Sequence, residues 1–247
     1  MSTLPEKEIQ KFVAAHIPDF HRKRLERLQT LKLGDVLKRK NPYLFRAKNV
    51  LTAGDLVNLL LTAHLSSQEE TIFGDFLEKL AIFSCALCYG GQKSSSEGID
   101  LDFMREGIRY IVSIKSGPNW ANSRQIAKMK DDFKKAKRIL GTNRNAVNVI
   151  AINGCCYGRE NQEDKGDYLK VCGQSFWTLI TGQTSFYTDI IEPLGYQAQE
   201  RNDEFEKQFS NVVNLFTAGF IQQFCSKNGA IDWVKLVQFN SAKAVKK

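Results

Sequence analysis

Ile99-Asp100-Leu101-Asp102-Phe103-Met104-Arg105-Glu106-Gly107-Ile108-Arg109-Tyr110-Ile111-Val112-Ser113-Ile114-Lys115 places two strand signals around one turn signal. The first segment alternates apolar and acidic residues, and the second is rich in β-branched ones, as half-buried strands are. Glu106-Gly107 suits a two-residue hairpin loop, because glycine accepts the positive φ such loops demand. With that loop, Arg105 faces Ile108, Phe103 faces Tyr110 and Asp100 faces Ser113, which leaves Lys115 as the diagonal neighbour of Asp100. Side chains alternate along a strand, so Asp100, Asp102, Ser113 and Lys115 share one face, and Ile99, Leu101, Phe103, Tyr110, Val112 and Ile114 the other.

Working outward, Ser116-Gly117-Pro118 ends the second strand, and a helix is expected from Asn122 to Leu140 with Ile126, Met129, Phe133, Ala136 and Leu140 on one side. Residues 128–138 carry six basic groups against two acids. Short strands are expected at Ala146–Asn153 and Tyr168–Cys172, a short helix at Ser175–Ile180, and a long amphipathic helix at Asp203–Phe224. Upstream, Thr52–Leu65 reads as one helix. A second opens at Ser66, where acids follow in the first turn, and runs towards Tyr89 with Phe73, Phe76, Leu77 and Leu80 inward and Glu78 at the stripe's edge. Residues 1–40 hold ten Lys/Arg against five Asp/Glu, with Phe20, Leu25, Leu28 and Leu31 at helical spacing, so residues 1–50 read as a basic helical arm. No repeat or linker divides the chain, and 1–247 is expected to be a single domain.

With 35 Lys/Arg against 27 Asp/Glu, the 247-residue chain carries a formal charge of +8, which favours a polyanionic partner. Its apolar runs are shorter than the roughly 18 to 20 residues a membrane span needs, so no membrane association is expected. The N-terminal residues lack an apolar signal region, and the cytoplasm is the expected compartment. The six cysteines read as reduced thiols. Cys85-x-x-Cys88 sits in an apolar helical run and reads as packing, since a zinc site would require a second ligand pair. The three histidines share no spacing, and no phosphate-binding glycine loop is present, so nucleotide hydrolysis is not supported.

Acid, hydroxyl and amine gathered at the hairpin end away from the turn suit metal-dependent phosphodiester hydrolysis. A carboxylate there binds Mg²⁺, and the ammonium stabilises developing negative charge or orients water. The same residues resemble a known family. Gly98-Ile99-Asp100 followed by Ile111-Val112-Ser113-Ile114-Lys115-Ser116-Gly117-Pro118 is similar to the core of the PD-(D/E)XK nucleases, in particular the type II restriction endonucleases. The likeness extends to Glu69–Glu78 and Asn119-Trp120-Ala121-Asn122-Ser123, over roughly residues 40–180. Val171-Cys172-Gly173-Gln174-Ser175-Phe176-Trp177 resembles a segment of the EcoO-type enzymes, which cut palindromes flanked by GG and CC.

The resemblance implies an α/β fold, a central mixed sheet flanked by helices, and Mg²⁺-dependent cleavage of double-stranded DNA at a short palindrome by a homodimer. It makes Asp100 a metal ligand and Lys115 the active-site lysine. Ser113 stands where the superfamily usually has an acid, though the EcoO-type subgroup tolerates serine there. Another carboxylate then completes the site: Glu78 first, with Asp102, Glu97 and Glu70 as alternatives. Asn119, Asn122, Arg124, Gln125, Lys128 and Lys130 are candidates for base edges or phosphates. Two rivals remain: a DNA repair nuclease of the same superfamily, and a sequence-specific DNA-binding protein with an inactive core, motivated by Ser113.

Overall fold

The computed structural model describes residues 5–141 and 148–243. In chain order its elements are α1 (Glu6–Gln29), α2 (Leu33–Lys38), α3 (Pro42–Ala47), α4 (Ala53–Tyr89), β1 (Leu101–Arg105), β2 (Ile108–Lys115), α5 (Ser123–Gly141), β3 (Val149–Cys155), β4 (Leu169–Cys172), α6 (Gln174–Thr181), α7 (Phe186–Asp189), α8 (Ile191–Leu194), α9 (Ala198–Phe224) and α10 (Trp233–Ser241). The described residues fall into two compact units, within Met1–Pro18 with Phe73–Tyr196 and within Asp19–Ile72 with Gln197–Lys247.

The first unit holds a four-stranded mixed sheet in the order β1-β2-β3-β4. β1 and β2 are antiparallel, while β2, β3 and β4 run parallel. The hairpin forms as its turn residues dictate: Glu106 and Gly107 both take positive φ, 53° and 76°. Arg105 pairs with Ile108 and Phe103 with Tyr110. Just before the assigned strand the expected pairing of Asp100 with Ser113 is not followed: Asp100 N–H donates to Val112 O at 2.8 Å, so Asp100 and Leu101 both stand against Val112, the two-against-one arrangement of a bulge. Outside β1, Gln92 and Asp102 exchange backbone hydrogen bonds of 3.0 and 2.9 Å, which pairs part of an otherwise open edge.

One sheet face is apolar, with Leu101, Phe103, Val112, Ile114 and Ile152 buried. Phe176 of α6 reaches it because Gly154 has no side chain: a Cβ there would lie 2.3 Å from the ring. The other face departs from the expected polar surface. Ile111 also lies on it, fully buried, and clusters with Ala151 and with Met129, Phe133 and Ala136 of α5. That stripe of α5 is the one its helical spacing indicated, so the helix covers the middle of the face, with the Asp102–Arg109 pair towards the turn and Ser113 and Lys115 at the other end.

In the second unit Leu56, Val57, Leu60 and Leu61 of α4 form a core with Phe220 and Phe224 of α9 and Leu236 of α10. Leu28, Leu65 and Phe205 form a smaller cluster. The basic residues of α1 here are largely paired: Arg22 with Asp19 and Glu26, Lys23 with Asp19, and Arg24 with Glu69 while its guanidinium lies over the Phe205 ring.

One expected boundary is absent. α4 begins at a Thr52 cap, whose hydroxyl accepts from Asp55 N–H, and then runs through Ser66-Ser67 without a break. A serine caps a helix only where the chain leaves helical geometry. Buried Leu61, Leu65 and Ile72 instead continue the stripe across the serines, and the Ser67 carbonyl accepts from Thr71. The expected strand start at Ala146 lies outside the described residues.

Candidate active site

Lys115 ends β2, and Asp100 lies just before β1, bonded to Val112 and Ile114 on either side of Ser113. The lysine ammonium stands 3.7 Å from Asp100 Oδ2. The same oxygen accepts the backbone N–H of Ile114 at 2.7 Å, which fixes the carboxylate against the strand. Both side chains are partly open, with 29% and 22% of their surface exposed. Ser113 is buried at 2%.

Glu78 projects from α4 into the same electrostatic neighbourhood. Burial first, and then the Asp100 charge, push its carboxyl above the usual range, while Lys93 and Lys115 pull it down. Lys93 Nζ is 3.5 Å from Glu78 on the outer side. A carboxylate whose ionisation a neighbouring negative charge opposes is relieved by a cation between the two. Their oxygens are hard donors, and Mg²⁺ prefers those. Asp100 and Glu78 therefore fit a divalent ion. Among the described residues no group of three or more His, Cys, Asp or Glu is placed to hold one.

Two of the other candidate acids have partners of their own. Asp102 makes a bidentate pair with Arg109, with bonds of 2.9 and 2.6 Å. Glu97 pairs with Lys128 at 3.0 Å, and Glu70 is exposed.

The residues after the strand divide by task. Asn122 Oδ1 accepts from the N–H groups of Arg124 and Gln125, and Gln125 Oε1 accepts from Asn122 N–H, a reciprocal cap on α5. Lys128 is shared by Glu97 and Asp132, which hold its ammonium well above the usual lysine range. Lys130 lies 3.3 Å from Asp167. Asn119 and Arg124 are exposed, and neither Arg124, Lys134 nor Arg138 has an ion-pair partner among the described residues.

Sequence reasoning did not single out the polar row continuing across the sheet. Parallel register sets Asn153 beside Ser113, and Lys170 beside Asn153. Asn153, exposed by only 1%, accepts the Trp120 indole N–H at 3.2 Å and donates to Ser113 O at 3.4 Å. The Lys115 ammonium lies 5.2 Å from the centre of the Trp120 ring. Lys170 Nζ donates to Pro118 O at 3.1 Å. A lone asparagine in the apolar strand Val149–Cys155 was the available signal. Cys155 beside Lys115 is a buried thiol pushed up to about 12, so it is no nucleophile at neutral pH.

A mixed sheet ending in an acid and a lysine is shared by many nucleic-acid hydrolases, and the family decides among them. The family model for type II restriction endonuclease EcoO109I matches residues 7–202. The chain belongs to this family. No curated protein matches it. EcoO109I-family membership makes the chain a restriction endonuclease by descent, a hydrolase whose substrate is DNA. The match contains Glu78, Asp100, Ser113, Lys115 and the whole sheet. No helix among the described residues is long and apolar enough to cross a membrane.

Proposed function

We propose that this chain cleaves double-stranded DNA at a short palindromic site as a PD-(D/E)XK enzyme, with Mg²⁺ as cofactor and a homodimer in the cytoplasm as the working form. The likeness of its 171–177 segment to the EcoO-type enzymes favours a palindrome flanked by GG and CC. The observation that carries the reading is the convergence of Asp100, Glu78 and Lys115 at one end of the β1–β2 hairpin.

Asp100 and Glu78 are the residues that would hold the ion, which would supply Lewis acidity and counter-charge at the scissile phosphate. Lys115 brings a protonated amine to the same place. There it offsets the charge that grows on the phosphate oxygens or orients the attacking water. Ile114 N–H keeps Asp100 aimed along the strand. Ser113, buried and neutral, is a supporting residue, while Asp102, with its oxygens taken by Arg109, serves the strand itself. Asn119, Arg124 and Lys130 are the nearest donors for the duplex, and Asn122, Gln125 and Lys128 present those donors from the capped first turns of α5.

The test is digestion of sequenced phage DNA with Mg²⁺ and mapping of the fragment ends. Discrete fragments with symmetric ends are expected. Asp100→Ala and Lys115→Ala each abolish cutting, while binding persists with Ca²⁺ in place of Mg²⁺. Tight binding without cutting in Mg²⁺ or Mn²⁺ would hand the function to the DNA-binding reading, and cutting by either variant would refute the site.

A further inference from the structure

We infer that Trp120, held by Asn153, is a positioning residue that keeps the Lys115 ammonium at the reacting phosphate once Asp100 is engaged by a cation. The inference rests on the reading of Lys115 given above and adds two residues to it. Lys115 has two neighbours of opposite character. Asp100 attracts it from one side, at a distance too long for a hydrogen bond, 3.7 Å. On another side stands the Trp120 face, 5.2 Å from ammonium to ring centre, within the range in which an aromatic quadrupole attracts a cation. With its charge engaged by a divalent ion, Asp100 would hold Lys115 less strongly. The ring's attraction does not depend on that carboxylate, so it persists through the step in which the amine is needed.

The ring is built into place. Its indole N–H donates to Asn153 Oδ1, and Asn153 is itself fixed by Ser113 O, with almost none of its surface exposed. The apolar part of Trp120 packs against the cluster of Ile111, Met129 and Phe133. The backbone leading to Trp120 is pinned as well: Cys156 N–H donates to Lys115 O at 2.9 Å, Tyr157 N–H to Ser116 O at 3.1 Å, and Lys170 to Pro118 O. A buried asparagine in an apolar strand costs stability unless both ends of its amide are used. Here its acceptor is spent on the ring that faces Lys115.

Wild type, Trp120→Phe, Trp120→Leu and Asn153→Leu are compared in two measurements, with thermal melting as the check on folding. The first is single-turnover cleavage of supercoiled plasmid in Mg²⁺, beside plasmid affinity in Ca²⁺. Trp120→Leu is expected to lower the rate about three- to thirty-fold, the span of one cation–π contact, with affinity unchanged. Trp120→Phe, which keeps a ring, recovers most of the rate. The second needs no cleavage: NMR of the metal-free protein, with Lys115 assigned by its loss in Lys115→Arg. Its side-chain methylene signals are expected upfield from ring current, and at ordinary positions in Trp120→Leu and Asn153→Leu. If Asn153→Leu does not fold, Asn153→Ala, which removes the same hydrogen bond with a smaller side chain, takes its place in that arm. An unshifted wild-type signal, or a Trp120→Leu enzyme as fast as wild type, overturns the inference. Failure of wild type to cut plasmid removes the proposed function instead, and the NMR result still decides the placement of Lys115.

Discussion

Asp100 and Asp102 lie two residues apart on one strand face, and their neighbours give them different work. Asp102 is nearly buried and shares both oxygens with Arg109, so its removal strands a guanidinium. Asp102→Ala is expected to cost about 1 kcal/mol of stability in urea unfolding, since the guanidinium left behind is partly open to water. Plasmid cleavage should survive it. Glu78 has the reverse profile. It is pressed by burial and by Asp100, and relieved by Lys93 and, less, by Lys115. Glu78→Gln removes that repulsion, so the apo protein should melt no lower than wild type. Cleavage should fall about a hundred-fold, and calorimetric titration with Mg²⁺ should show weaker uptake.

The elements that were legible from the residues are those whose determinants are local. The hairpin register follows from a two-residue turn and a two-residue period, and both lie within Ile99–Lys115. The polar row Ser113, Asn153 and Lys170 was not legible beyond its first member. Its other members join through parallel pairings, which depend on the path of α5 and of the loop after β3 rather than on any adjacent residue. Ser66 misled for a related reason, because a capping residue is a signal only where tertiary packing lets the helix stop. At Asn122 the same kind of signal is fulfilled. Asn122→Ala should therefore cost about 1 kcal/mol, seen in the melting curve, as loss of an N-cap does. Arg124→Ala should leave melting unchanged and lower the slope of log affinity against log salt by about one, the signature of a lost phosphate contact. If instead Arg124→Ala lowers the melting temperature and spares that slope, α5 is a structural helix with a solvated face.

At the scale of the whole molecule, the count of 35 Lys and Arg overstates the cations free for DNA, because many of them are committed to carboxylates within the fold, while the net +8 is left over. Arg22, Arg24, Lys128 and Lys135 each face a carboxylate. The histidines add a dependence on acidity that the charge balance does not reveal. His64, 7% exposed, and half-buried His21 both lie in the second unit and are held below the ordinary histidine range. Burial is the first cause for each. The cations Lys40 and Arg39 beside His64, and Arg24 and Arg201 beside His21, add to it. Within the fold His64 Nε2 is 2.8 Å from the Gln68 amide nitrogen, so it serves as an acceptor there and loses that bond on protonation. A histidine whose folded pKa is depressed takes up its proton more readily in the unfolded chain. Stability is therefore complete above about pH 6.5 and declines as the pH falls through that value. The decline stops only below the folded pKa values. Urea midpoints taken between pH 8 and pH 5 should trace that fall, and His64→Gln, which cannot titrate, should flatten it. A slope that His64→Gln leaves untouched would place the acid sensitivity elsewhere.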